Sequence, residues 1–243
     1  MHLNPSQPTT IKMKIYFLVG LFICVGFFAE ITPSQAPKKI AYGVLLDNTG
    51  TLRPQLGDVK SVGKIIVRQI NSQGVATAFS FSTQVIKKQQ IAGPIIGIEW
   101  SNDLNRFDRY IDSLTTTAGQ TALLDAIRFS AETINLKANV EKDNFSEKVL
   151  VIITDGEDRI SKSKPKELIA FLSENHIKVY AAGLVERLST DGGYMGPSPQ
   201  TKSKDFLKKI TEETGGRVVF PKPNQTIEDV VRELFAGSSI KSK

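Results

Sequence analysis

Three apolar runs constrain this chain more than any other feature: Ala41–Leu46 (AYGVLL), Val149–Ile153 (VLVII) and Val179–Leu184 (VYAAGL). None alternates apolar with polar residues, so each reads as a strand covered on both faces. Val75–Ser82 (VATAFSFS) alternates as a further strand, Val85–Ile91 (VIKKQQI) is a weaker one, and Arg217–Phe220 (RVVF) is a short last one. Between the runs, apolar residues recur at helical spacing. Val62, Ile65, Ile66 and Ile70 form one such stripe, Leu104, Phe107, Ile111 and Leu114 a second, and Leu124, Ile127, Ala131 and Ile134 a third. Leu168, Phe171 and Leu172 mark another helix, and Phe206, Leu207 and Ile210 lead one that Gly215-Gly216 stops. Ile227, Val230, Val231, Leu234 and Phe235 make the most regular stripe. Buried strands alternating with amphipathic helices imply an α/β domain, a mostly parallel sheet with helices on both faces. One domain over 38–237 is expected, with a tail at 238–243 and long polar loops at 138–147 and 187–203. Trp100 is read as opening a helix, and His176 as an exposed helix-end residue.

Residues 1–36 are set apart as a leader. Lys12 and Lys14 precede Ile15–Ala29, an apolar run of 15 residues. A membrane-spanning helix needs about 20, so the run reads as a signal peptide with cleavage near Ala36, after Ser34-Gln35. This predicts a secreted or periplasmic protein, with membrane contact only where the leader stays uncleaved. The single cysteine, Cys24, lies in the leader, so the remaining chain has no thiol or disulfide chemistry. Its one histidine, His176, excludes histidine-based zinc sites and Ser-His-Asp triads. The leader carries two lysines and one glutamate, so its removal takes the net charge from +6 to +5. The basic residues are scattered with few aromatics between them, and no nucleic-acid partner is expected.

In a parallel sheet, ligands bind beyond the carboxyl ends of the strands. The segments there are Asp47-Asn48-Thr49-Gly50-Thr51 after the first run and Thr154-Asp155-Gly156-Glu157-Asp158 after VLVII, with Gly119-Gln120-Thr121 ahead of the third helix. They gather Asp47, Thr49, Thr51, Thr121 and Asp155 at one edge, with no nitrogen or sulfur ligand among them. An all-oxygen set suits a hard divalent cation, Mg²⁺ first, with Mn²⁺ or Ca²⁺ possible. Two carboxylates and three hydroxyls cannot close a cage around an ion, so water or an outside ligand must complete it. An ion held mainly by neutral hydroxyls keeps its pull on an anion, which is a design for capturing a carboxylate. Helix N-termini at this edge disfavour a cation by roughly 0.3–1 kcal/mol each, and Asp47 and Asp155 are the charges that offset them.

Taken singly these segments are weak signals. DNTGT can be a simple turn, Thr121 can merely cap a helix, and Glu157 and Asp158 belong to a solvated turn or outer shell. Together, Val44–Thr51 (VLLDNTGT), Gly119–Ile127 (GQTALLDAI) and Val149–Asp158 (VLVIITDGED) resemble the three motifs of a von Willebrand factor type A (VWA) domain. Thr214–Phe220 (TGGRVVF) and the closing helix resemble the end of such domains in secreted bacterial proteins. The resemblance implies a Rossmann-like, doubly wound six-stranded sheet, mostly parallel with one antiparallel edge strand. It also implies a metal-ion-dependent adhesion site (MIDAS). The family's first motif is D-x-S-x-S, and here both serines are threonines. By that pattern Thr49 and Thr51 ligate directly, Asp47 and Asp155 directly or through water, and Thr121 joins when a ligand is bound.

Competing readings are of other classes. Leu46–Leu52 (LDNTGTL) also resembles the phosphorylated-aspartate motif of haloacid-dehalogenase-type phosphatases, which would make Asp47 a nucleophile. That scheme needs a second acidic pair and a lysine ahead of it, whereas Lys148 stands at the far end of its strand. Gly57–Ile65 fails as a phosphate-binding loop, with five residues between its glycines and Ile65 where a hydroxyl must hold Mg²⁺. An EF-hand fails because Leu52 stands where that loop needs glycine. A scaffold that has lost its metal is the third possibility. The reading adopted is an exported, non-enzymatic VWA-type module. It uses a divalent cation to hold an Asp or Glu carboxylate of a protein partner; the 187–203 loop (Tyr194 and Met195 included) either chooses that partner or is a disordered insertion.

Overall fold

The apolar runs take the positions that their lack of alternation requires. In strand β1 (Lys39–Asp47) every residue after the first is buried, and in β4 (Phe145–Thr154) the last six are. Alternate side chains feed two separate cores. Tyr42, Val44 and Leu46 with Val149, Val151 and Ile153 join one, while Ala41 and Leu45 with Leu150 and Ile152 join the other.

The computed structural model describes Met1 and residues 39–86, 89–116, 120–141, 145–192 and 196–240. The leader reading, Cys24 and the cleavage near Ala36 included, lies outside these residues, as do Gly119, Tyr194 and Met195. Among the described residues, no helix is long and apolar enough to cross a membrane.

The described residues form α1 (Leu56–Ile70), β2 (Gly74–Ile86), β3 (Gln89–Ser101), α2 (Leu104–Ser113) and α3 (Leu123–Val140) between β1 and β4. After β4 come α4 (Pro165–Glu174), β5 (Ile177–Gly183), α5 (Pro199–Glu213), β6 (Arg217–Val219) and α6 (Ile227–Leu234). The sheet has the order β3-β2-β1-β4-β5-β6. All neighbours pair in parallel except β2 and β3, which makes β3 the antiparallel edge. Helices α1, α2 and α6 cover one face through Val59, Ile66, Phe107, Ile111, Val230 and Leu234. Helices α3, α4 and α5 cover the other through Leu123, Ile127, Leu168, Leu172, Leu207 and Ile210. This is the six-stranded, Rossmann-like α/β sheet that the motifs implied.

Three local expectations differ from the structure. Val85–Ile91 is not one strand: Val85 pairs with Gln90 across the antiparallel β2–β3 ladder. Trp100 lies in β3 and not at a helix start, half-buried against the second core. Gly93, Pro94 and Gly97 hide β3 from periodicity, and proline is tolerated there because the strand is an edge. Gly97 is required by contact: a Cβ there would lie 1.8 Å from Tyr110 Cζ. The 187–203 loop is shorter than read, because α5 begins at Pro199. Ser198 caps it by accepting from Thr201 N at 3.1 Å, and Pro199 occupies the first turn. His176 is exposed, at φ 53° after α4, as a helix-end residue. Within the stretch read as a tail, Ile240 is buried in the first core.

The chain runs outward from β1 to β2 and β3, then returns to place β4 on β1's other side. The helices that follow β1 and β4 therefore leave toward opposite faces. A crevice opens between them at the strands' carboxyl ends, where Asp47 and Asp155 stand.

Candidate metal centre

Asp47 ends β1 with no exposed surface. The chain turns at once, so Thr49 donates to Asp47 Oδ1 from both its backbone N (3.0 Å) and its hydroxyl (2.7 Å). The other carboxylate oxygen, Oδ2, accepts from Thr154 Oγ1 at 2.6 Å, a bond between residues 107 apart in sequence. Thr154 is oriented in turn by Gly156 N, which donates to its hydroxyl at 3.0 Å. Thr49 Oγ1 and Thr51 Oγ1 are 3.1 Å apart, and the Thr51 hydroxyl bonds the Asp155 carboxylate. Asp155 Oδ1 also accepts from Glu157 N at 3.0 Å. Four of the five expected residues, Asp47, Thr49, Thr51 and Asp155, thus form one hydrogen-bonded chain. Thr154 extends it, and the sequence reading had overlooked that residue. Its signal was present: a hydroxyl standing between a buried apolar strand and an acid.

Thr121 is buried nearby but enters differently. Its carbonyl accepts from Arg159 N at 2.9 Å and Ile160 N at 3.2 Å, which ties its loop to the loop after β4. Its hydroxyl makes no hydrogen bond with the other four residues among those described. Nor does it cap α3, whose N-cap is Ala122, without a side-chain bond. The cap comes from outside the helix. Asp158 Oδ1 accepts from Leu124 N at 3.2 Å, and Asp125 N donates to Ser161 Oγ at 3.1 Å. The Asp125 carboxylate accepts from Lys162 N and Ser163 N in return. Asp158 is therefore more than a solvated turn residue: it holds the start of α3 against the β4 loop. Asn48 holds the third segment, donating from Nδ2 to Thr115 O at 3.0 Å. Its buried Oδ1 has no hydrogen-bond partner.

The electrostatics of this crevice are strained. Burial, the largest cause, pushes the Asp47 carboxyl up to about 7. Repulsion from Asp155 adds to it, and the bonds from Thr154 and Thr49 hold it back. Asp155 is raised as well, by burial first, against the pull of the Glu157 amide and the Thr51 hydroxyl. No described Lys, Arg or His forms an ion pair with either acid. Arg159, the nearest by sequence, is engaged with Glu157 at 2.8 Å. No three His, Cys, Asp or Glu side chains gather as a metal cluster among the described residues. The centre holds two acids and a set of hydroxyls. Such a donor set fits a hard divalent cation, whose charge would relieve both buried acids.

Among the described residues, no lysine forms the ion pair with either acid that the phosphotransfer alternative needs. Lys148 is bound through Nζ to Asn135 Oδ1 at 2.9 Å, near the opposite end of β4. The stretch that superficially resembles a phosphate loop, Gly57–Ile65, lies inside α1.

Residues 44–233 match the sequence profile of the von Willebrand factor type A domain, well over half of the chain. The chain belongs to the VWA family. No curated protein matches the sequence. Solved structures share the fold at low identity. A VWA protein from Catenulispora acidiphila is 16% identical with a TM-score of 0.55, over 83% of this chain and 42% of that one. The SpaC pilus adhesin of Lactobacillus rhamnosus GG is 13% identical with a TM-score of 0.56, over 82% of this chain and 30% of the adhesin. The SpRpn10 VWA domain is 12% identical with a TM-score of 0.51, over 85% of this chain and 98% of that domain. The chain thus spans less than half the length of the adhesin and of the Catenulispora protein. In this VWA chain, the crevice between β1 and β4 brings the Asp47–Thr51 and Thr154–Asp158 segments together, with Thr121 tied to the β4 loop.

Proposed function

We propose that this VWA chain is an exported binding module, without catalytic chemistry of its own. It holds one divalent cation, Mg²⁺ first and Mn²⁺ or Ca²⁺ otherwise, in a MIDAS-type site. Asp47, Thr49, Thr51, Thr121 and Asp155 would hold the ion, and a protein partner would supply an Asp or Glu carboxylate. The observation that carries this reading is the buried pair, Asp47 and Asp155, bridged by Thr49 and Thr51, with no cationic side chain paired with either acid among the described residues.

When bound, the ion supplies positive charge and an open coordination position for an anion. The chain's own residues do the rest. Asp47 is held in one orientation by bonds to both of its oxygens, so its carboxylate needs no reorganisation to face a ligand. Thr49 and Thr51 place neutral oxygens beside it and add no negative charge to repel an incoming carboxylate. The bonds of Arg159 and Ile160 to the Thr121 carbonyl keep the third segment against the β4 loop. The fold shared with a pilus adhesin supports an interaction role, and the leader over 1–36 supports an extracytoplasmic one.

Calorimetric titration of the full chain with Mg²⁺, Mn²⁺ and Ca²⁺ tests this. One cation per chain is expected for the wild type and none for Asp155→Asn. A wild-type chain that takes up none of the three at millimolar cation would end the reading.

A further inference from the structure

Beside the acid pair the surface opens into a cavity of about 460 Å³. Gly156, the residue after Asp155, forms part of its wall, as does Leu124, three residues after Thr121. Successive Cα atoms lie about 3.8 Å apart, so the cavity begins within one residue of the proposed cation ligands. Leu124 is buried and Phe206 half-buried, and the two give the cavity an apolar wall. Lys164 and Lys202 also line it, both exposed.

The charges around the cavity are unevenly engaged. Glu157 is paired with Arg159 at 2.8 Å, and Asp158 accepts from Leu124 N and from Ser161 Oγ. The ammonium groups of Lys164 and Lys202 have no partner among the described residues. Three cations and two acids line the cavity, and the acids are already satisfied. What remains is an apolar wall with two free positive charges, next to a centre suited to a carboxylate.

We infer that this cavity takes a second acidic side chain from the same partner segment. The first acid goes to the cation, so the inference rests on the proposed cation site. The second carboxylate faces Lys164 and Lys202, and its methylene stem packs on Leu124 and Phe206. An extended segment brings residues i and i+2 to the same face about 7 Å apart, so the recognised pattern is two acids separated by one residue, whose own side chain points away from the cavity.

The test is calorimetry of the full chain with two capped pentapeptides, Gly-Gly-Asp-Gly-Gly and Gly-Gly-Asp-Gly-Glu, in MgCl2 and in EDTA. In Mg²⁺ the second peptide is expected to bind at least about tenfold tighter, the gain of one partly desolvated charge pair. The double variant Lys164→Ala, Lys202→Ala removes that advantage and leaves Mg²⁺ affinity and the first peptide unchanged. Equal affinity of the two peptides in Mg²⁺ overturns the cavity assignment while the cation site stands. So does a double variant that weakens both peptides alike. Tight binding of the second peptide in EDTA, lost with the two lysines, keeps the cavity and removes the cation site. If neither peptide binds in Mg²⁺, both fail.

Discussion

Replacing Asp47 with asparagine should stabilise this protein when no cation is present. The carboxyl sits at about 7 instead of its usual 3.8. That is roughly three units at about 1.4 kcal/mol each, so the ionised acid costs on the order of 4 kcal/mol of fold stability in alkaline EDTA. Asparagine removes the charge and keeps much of the bonding. Its Oδ1 still accepts from Thr49, and its amide group donates to the Thr154 hydroxyl. The loss is the charge-assisted part of those bonds, about 1–2 kcal/mol. The balance favours the variant by roughly 2–3 kcal/mol, which for a unit of this size raises the melting temperature by about 4–12 °C. The assay is a thermal melt near pH 8 in EDTA and again in MgCl2. In Mg²⁺ the order reverses. The wild type gains about 4.1 kcal/mol at a cation concentration a thousandfold above Kd, and the variant gains nothing. The pH dependence carries the same sign. With a raised value, the folded chain holds a proton that the unfolded chain has released between about 7 and 3.8. Cation-free wild type therefore melts higher as pH falls through that window, and Asp47→Asn lacks the climb. A variant that melts below wild type in EDTA near pH 8 would show that the buried acid is not strained, and one that gains equally from Mg²⁺ would show that Asp47 does not hold the cation.

Two further substitutions probe the shell around the acids. Thr154→Val keeps the shape but leaves Asp47 Oδ2 and Gly156 N without their bond, so urea unfolding in EDTA should show a loss of about 2–4 kcal/mol; a loss below about 0.5 kcal/mol, the level of a neutral surface change, counts against the bridge. Gly156→Ala forces a side chain onto φ 78° and puts its Cβ 3.0 Å from Ser203 Cβ and 3.1 Å from Leu207 Cδ1. It should cost about 1–3 kcal/mol and lower the Mg²⁺ affinity measured by calorimetry, and an unchanged melting temperature would contradict the close packing.

The parts of the fold that were legible are those where burial acts on every residue. β1, β4 and β5 are covered on both faces, so their apolar runs are continuous, and the helices between them repeat at their own period. β3 was illegible because an edge strand tolerates Gly93, Pro94 and Gly97, which break any pattern. The start of α5 was marked locally by Ser198 and Pro199, yet its first turn is too polar to show periodicity. The candidate site was legible as three separate segments because acids and hydroxyls at strand ends are a local property. Thr154 was not, since its role comes from a bond to a residue 107 positions away. Asp158 likewise acts on α3 through a contact that only the folded chain makes.

Residue order alone determined the buried strands, the helices and which short segments carry candidate oxygen ligands, because periodicity and turn chemistry act over a few residues. Tertiary structure decided that β4 lies against β1, and so that Asp47 and Asp155 share one buried crevice. It also decided that Thr154 orients one acid, that the β4 loop caps α3, and that a lysine-lined cavity opens at the centre's side. Those outcomes depend on distance through space, which spacing along the chain does not encode.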